Sequence, residues 1–338
     1  MKSIKKPPIW ATFYTIALLL FTVYVALDTF VIPRAYAVVG REVQTEVQTE
    51  VQTESAVTAQ NESVASTQTD TASEGTSTES ASLASGEDTV FTSEAVITDN
   101  SYSDENMSIT ITEYRANNTS IYVADIYLSD VSDLKTAFAN NTYGRNITQT
   151  TSAIASSQNA ILAINGDFYG AQTRGYVIRN GVLYRDTASD ASQEDLVIYA
   201  DGSFDIVTEG SVSASELLEN GALQVLSFGP GLLDDGEITV TDGEEVDKAM
   251  TSNPRTAIGI IDTLHYVMVV SDGRTSASTG LTLYELATFM QELGVTTAYN
   301  LDGGGSSTMY FNGTVVNNPT TNGKTITERS VSDIVYIE

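Results

Sequence analysis

Thr296-Thr297-Ala298-Tyr299-Asn300-Leu301-Asp302-Gly303-Gly304-Gly305-Ser306-Ser307-Thr308 is a strand that stops at an acid, three consecutive glycines and a run of hydroxyls. Glycine lacks a Cβ, so such a run adopts backbone conformations closed to other residues and lets main-chain N–H groups approach a ligand. Successive N–H groups curved into a nest bind anionic oxygens. A flexible turn between strands has the same composition, so the surroundings carry the weight.

Immediately upstream, residues 282–293 predict a helix. Thr282 caps it, Glu285 sits at N3, Leu283, Leu286, Met290 and Leu293 share a face, and Gly294 ends it. Shorter helices are expected at 151–159 and 215–220. Most of the rest from residue 106 reads as strand, with 120–128 and 160–164 apolar or alternating. Hairpins at 176–184 and 196–204 turn on Asn180-Gly181 and Asp201-Gly202, pairs suited to type I′ turns. The expected fold is α+β: a single sheet-dominated domain of mixed strands and hairpins over 106–338, with a few flanking helices.

Ahead of this domain, Lys2, Lys5 and Lys6 precede an apolar run over 9–27. That length spans a bilayer, and the lysines place the N-terminus in the cytoplasm. Residues 1–40 are therefore expected to be a basic tip and single-pass signal anchor in the cell membrane, with the C-terminal domain extracellular. The alternative is secretion after cleavage at Ala35-Tyr36-Ala37. Residues 41–105 are rich in Thr, Ser and Glu, begin with Val-Gln-Thr-Glu repeats at Val43, Val47 and Val51, and read as a disordered stalk.

A net charge of -28 on 338 residues argues against nucleic acid as a partner. With no cysteine there is neither a disulfide framework nor a thiolate zinc site. The single histidine, His265, lies in the alternating run 263–270, reads as a strand residue, and leaves a Ser-His-Asp triad or polyhistidine metal site without support. No cofactor is required; calcium, which takes carboxylate and carbonyl oxygens, stays compatible.

Three apolar strands end in polar clusters: Ala163-Ile164 in Asn165-Gly166-Asp167, Val269-Val270 in Ser271-Asp272-Gly273-Arg274, and Ala298-Tyr299 in Asn300-Leu301-Asp302. The expectation is that Asp167, Asp272 and Asp302 gather at one sheet edge as candidate catalytic carboxylates, with Asp302 or Asp272 the ligand if calcium is used. Asp-Gly is also the commonest turn chemistry. Arg255 and Arg274 stand beside Pro254 and Gly273, where a guanidinium fork suits phosphate or carboxylate, although a surface ion pair explains either one. Asn165, Gly166, Gly303, Gly304, Gly305, Ser306, Ser307 and Thr308 complete the candidate phosphate-binding set. Glu285 is a further candidate carboxylate, for which the capping box with Thr282 is a sufficient structural explanation.

Together with Phe228-Gly229-Pro230, Asn253-Pro254-Arg255-Thr256, residues 280–287 and Glu328-Arg329-Ser330-Val331-Ser332, these motifs resemble the phosphodiester glycosidase family over about 108–338. Bacterial members of that family are often labelled exopolysaccharide biosynthesis proteins. Where the family usually carries a second glycine and often two phenylalanines, this sequence has Asp167, Phe168 and Tyr169. The resemblance implies a hydrolase that cleaves a sugar-1-phosphate diester at the anomeric carbon, and hence a carbohydrate or phosphopolysaccharide partner in the cell envelope or extracellular polysaccharide. The residues also fit a non-catalytic envelope module binding anionic glycans, or a phosphodiesterase breaking the P–O bond. A glycosidase normally needs an acid for the leaving oxygen and a second carboxylate. A phosphate leaving group, with its second pKa near ~6, relaxes the first need.

Overall fold

The computed structural model describes residues 9–36, 91–243 and 252–338. Of the expected stalk over 41–105, residues 41–90 lie outside the described residues, as do the tip lysines; its last part is sheet instead, since Val96–Ile97 and Ser101–Ser103 pair in turn as edge strands beside Met107–Ala116. Helix α1, Ile9–Phe30, is long and apolar enough to cross a membrane, and its window Phe13–Phe30 is not buried against the protein.

The remainder of the described residues is mostly sheet, with three α-helices. A nine-stranded sheet has at its centre, in spatial order, Thr297–Asn300, Arg255–Asp262, His265–Ser271, Thr119–Leu128 and Met107–Ala116. A five-stranded sheet is ordered Thr314–Val315, Met309–Phe311, Leu162–Asn165, Asp333–Ile337, Leu134–Phe138, and a second runs Val182–Arg185, Val177–Arg179, Ala222–Leu226, Glu194–Tyr199, Phe204–Thr208. Every ladder between these strands is antiparallel.

The core lies where the three sheets meet. Ile109, Ile126, Ile258 and Met268 from the large sheet pack with Leu162, Ile164 and Val335 from one small sheet and Leu196, Ile198 and Leu226 from the other. Met107–Ala116 shows why: Met107, Ile109 and Ile111 point inward while Thr110 and Thr112 face water, the period of two expected of a half-covered strand. His265–Ser271 is buried on both faces because α4, Leu283–Glu292, covers the outside. Leu283, Leu286, Ala287 and Met290 of α4 pack on Val267 and Val269. Each large aliphatic side chain buried there contributes about 1.5–3 kcal/mol.

Local signals set the element ends. Thr282 Oγ1 accepts from Glu285 N–H and the Glu285 carboxylate accepts from Thr282 N–H, a complete capping box. Helices α2, Thr151–Ser157, and α3, Ala214–Glu219, occupy the two expected places. Asn180 and Gly181 both have positive φ, at 51° and 73°, in the two-residue turn expected. At the second hairpin only Gly202 is positive, and the strands are joined by the longer loop 200–203. His265 stacks on Tyr127 at 3.9 Å and meets Asp125 at 2.7 Å, as a sheet residue.

Candidate active site

Strand Arg255–Asp262 runs antiparallel between Thr297–Asn300 and His265–Ser271, so its start lies at the ends of both neighbours. Arg255 pairs with Ser271, and Leu301 N–H donates to Thr256 O at 2.8 Å. The strand Leu162–Asn165 arrives from the other sheet and is fastened by Asn165. Its Nδ2 donates to Asp302 O at 2.6 Å, and its Oδ1 accepts from Thr256 Oγ1 at 2.8 Å and from Thr308 N–H at 3.2 Å. Asn165 is fully buried and joins three segments of chain.

A cleft of about 520 Å³ opens at this junction, lined by Asp167, Phe168, Arg174, Arg255, Arg274, Asp302, Gly303, Gly304 and Arg329 among others. Asp302 accepts from Ser306 Oγ at 2.6 Å and from Arg329 Nη2 at 3.0 Å. Burial pushes its carboxyl above the usual carboxylate range, with Arg329 and Ser306 pulling the other way. Arg274 donates from Nε and Nη2 to Asn253 Oδ1 at 3.1 and 3.0 Å, and from Nη1 to Thr321 O at 2.7 Å. Burial first, and then the neighbouring charge of Arg329, hold Arg274 below the usual guanidinium value. Guanidinium groups crowded on one cleft repel each other and favour an anion between them. Phe168 projects at the same cleft, 40% exposed and in the left-handed region at φ 70°. An exposed aromatic residue held there stores strain of the kind found at ligand sites.

The expected residues divide. Asp302, Asp167, Arg255, Arg274, Gly303 and Gly304 all line the cleft. Asp167 is sealed into its floor: Oδ1 accepts from Tyr169 N–H at 3.0 Å, and Oδ2 accepts from Ser227 N–H and Arg179 Nη2, each at 2.8 Å. Asp272 is not among the lining residues. It accepts from Asn318 N–H at 2.8 Å, Asn318 Nδ2 at 2.9 Å and Asn317 Nδ2 at 3.3 Å, and so ties residues 317–318 to the sheet. Glu285 serves its capping box away from the lining.

The glycines act differently from an open nest. Gly304 N–H donates to Pro254 O at 2.8 Å and Gly303 N–H to the Asp302 carboxylate, so the charges facing the cleft are guanidiniums. What the glycines supply is close approach. A Cβ on Gly304, at φ 62°, would lie 2.7 Å from Arg274 Nη2; one on Gly166 would strike the Asp333 carboxylate, and one on Gly305 would strike Thr321. Ser306 holds Asp302 and Arg329, while Ser307 and Thr308 are fully buried behind them.

No group of three or more His, Asp or Glu side chains suited to a metal occurs among the described residues. The oxygens of Asp302 and Asp272 already hold N–H or O–H donors, a poor set for calcium, which takes six to eight oxygen ligands. Local reading did not assign Arg329, Arg179 or Asp333. The only signal for Arg329 was its place in Glu328-Arg329-Ser330-Val331-Ser332.

A family model described as phosphodiester glycosidase matches residues 158–338, which contain the cleft's carboxylates and guanidiniums. The chain belongs to the phosphodiester glycosidase family. Among relatives of this phosphodiester glycosidase family member, the SPbeta prophage-derived protein YomE of Bacillus subtilis is 29% identical over 180 residues, covering 52% of this chain and 28% of that protein. Mouse N-acetylglucosamine-1-phosphodiester alpha-N-acetylglucosaminidase is 31% identical over 175 residues, covering 47% of this chain and 33% of the mouse protein. The matched region thus spans about a third of those relatives. The solved catalytic domain of the zebrafish N-acetylglucosamine-1-phosphodiester alpha-N-acetylglucosaminidase, auto-inhibited by its pro-peptide, shares the fold. Its TM-score is 0.55 at 22% identity, over 69% of this chain and 82% of that one. A hypothetical protein from Synechocystis gives 0.51 at 15% identity, over 69% and 62%.

Proposed function

We propose that this protein is a hydrolase that cleaves glycosyl phosphodiester bonds in cell-envelope or extracellular polysaccharide, held in the cell membrane by α1 with its sheet domain outside. The observation that carries the reading is the meeting of Arg255, Arg274 and Arg329 with the buried carboxylate of Asp302 in one cleft. The guanidiniums take the phosphate, whose departure as a monoester needs charge stabilisation more than a strong acid. Asp302 acts at the anomeric carbon, where the C–O bond breaks and its electron pair leaves with the phosphate. Phe168 offers an apolar face to the sugar ring, and Asp167 positions the loop that carries it.

The test is hydrolysis of an α-N-acetylglucosaminyl phosphodiester by the full chain in ¹⁸O-labelled water. The expected result is label in the sugar and none in the phosphate. Label in the phosphate overturns glycosidic cleavage in favour of P–O cleavage, and no turnover by the parent protein removes the enzyme reading. Asp302→Asn should lower kcat by about 10²–10⁴, the range for a lost acid–base or nucleophilic carboxylate. Because burial raises the Asp302 carboxyl, turnover that needs it ionised is lost as pH falls through a value above the ordinary carboxylate range.

A further inference from the structure

The described residues place the end of α1 against the sheet domain. Arg34–Ala35 forms a strand paired antiparallel with Gly144–Arg145, Arg34 opposite Arg145 and Ala35 opposite Gly144. Tyr36 N–H donates to Tyr143 O at 2.9 Å, and the two rings lie 5.7 Å apart. The domain also caps the helix: Asn146 Nδ2 donates to Thr29 O at 3.3 Å and Ile32 O at 3.2 Å, and so serves a carbonyl that a helix C-terminus leaves without a partner. The seat has a steric requirement too, since a Cβ on Gly144 would strike Arg34 O.

This seat adjoins the cleft. Asn146 N–H donates to Gly170 O at 3.0 Å, and Tyr143 stacks on Tyr169 at 5.4 Å. Tyr169 N–H in turn holds Asp167. Phe30, Val31 and Ile32 stay exposed at the helix end, side chains that favour the hydrocarbon, with Tyr36, of the type found at the bilayer interface, 40% exposed beside them. Arg34 opposes Arg145, an unfavourable pairing that Asp28 offsets by its ion pair with Arg34.

We propose that Arg34–Ala35 is a docking strand of the sheet domain, which seats the end of the membrane helix beside the cleft and holds the domain at the bilayer surface. The partner of this face is a lipid surface, and the cleft works on what comes within reach of that surface. This differs from a domain carried on a stalk: a flexible spacer over residues 37–90 would set it a root-mean-square ~40 Å from the helix end. The docking does not depend on which reaction the cleft performs.

The absence of native cysteine makes cross-linking decisive. Directly opposed strand residues have Cβ atoms about 4.5–5.5 Å apart, close enough for a disulfide after slight adjustment. The full chain carrying Arg34→Cys with Arg145→Cys, and a specific protease site placed within residues 37–90, is inserted in membranes, oxidised, cut and then washed in denaturant, so that only a covalent link retains the domain. The expected result is a domain that stays with the membrane fraction until a reductant releases it. Arg34→Cys with the exposed Asp205→Cys should release on cutting, and Gly144→Val added to the first pair should abolish retention. Release of the first pair under oxidising conditions, or equal retention of both pairs, overturns the docking strand. So does a mature chain that begins at Val38.

Discussion

Two carboxylate–arginine clusters of nearly the same chemistry reach the cleft, one through Asp167 and the other through Asp302. In one, Arg179 donates to Asp167 and Asp333, each at 2.8 Å, and all three side chains are sealed from water. In the other, Arg329 donates to Asp302 at 3.0 Å with its own side chain 39% exposed. A sealed ion cluster has its hydrogen-bonding capacity largely committed and fixes geometry. An open one keeps charge available to a ligand. Residue type therefore does not assign the role: Asp167 and Asp302 are both buried acids at strand ends, and what separates them is that Arg179 is sealed while Arg329 reaches water.

The largest effect should come from breaking the sealed cluster. Arg179→Met leaves Asp167 and Asp333 buried without a counter-charge, and burial together with the neighbouring Asp167 already pushes the Asp333 carboxyl up. Loss of one partner of a buried pair costs about 3–5 kcal/mol, so denaturant unfolding should show a large loss of stability. Arg329→Ala should do the reverse. Its guanidinium is 39% exposed, so water takes over part of its role beside the buried Asp302 and the loss of stability should be smaller than for Arg179→Met, whereas kcat on a glycosyl phosphodiester should fall by about 10²–10³, as for loss of one preorganised electrostatic donor. Equal stability losses in the two variants would dissolve the distinction.

A smaller effect sharpens the sealed side. Asp195 lies near Ser227, the residue whose N–H holds Asp167, and burial, helped by Glu209, pushes its carboxyl up to about 9. The folded protein therefore keeps a proton that the unfolded chain releases near ~4. That contribution to stability is fully present below the unfolded value and is lost as pH rises from there through about 9. Asp195→Asn should flatten this slope in thermal unfolding measured across pH, and an unchanged slope would place the effect elsewhere. The smallest effect belongs to a carboxylate outside both clusters. Glu285→Ala should cost about 0.5–1 kcal/mol through its cap and leave turnover unchanged.

Much of the fold was legible because its signals are local. The period-two alternation of Met107–Ala116, the Asn180-Gly181 turn and the Thr282–Glu285 box each act within a few residues. The strand-end clusters were legible for the same reason, since Asp167, Asp302, Arg255 and Arg274 stand beside turn residues, and all four reach the cleft. Asp272 carries the same signature but is taken up by Asn317 and Asn318, far along the chain.

Backbone propensity, capping and side-chain period are short-range, so the elements, their ends and the stock of charges follow from the residues alone. Which arginine is sealed and which stays open to the cleft is settled by packing. Arg179 meets Asp333 across 154 positions and Arg329 meets Asp302 across 27. Such partners are chosen by how the three sheets pack, and burial, which sets the strength and availability of each charge, exists only once they have packed.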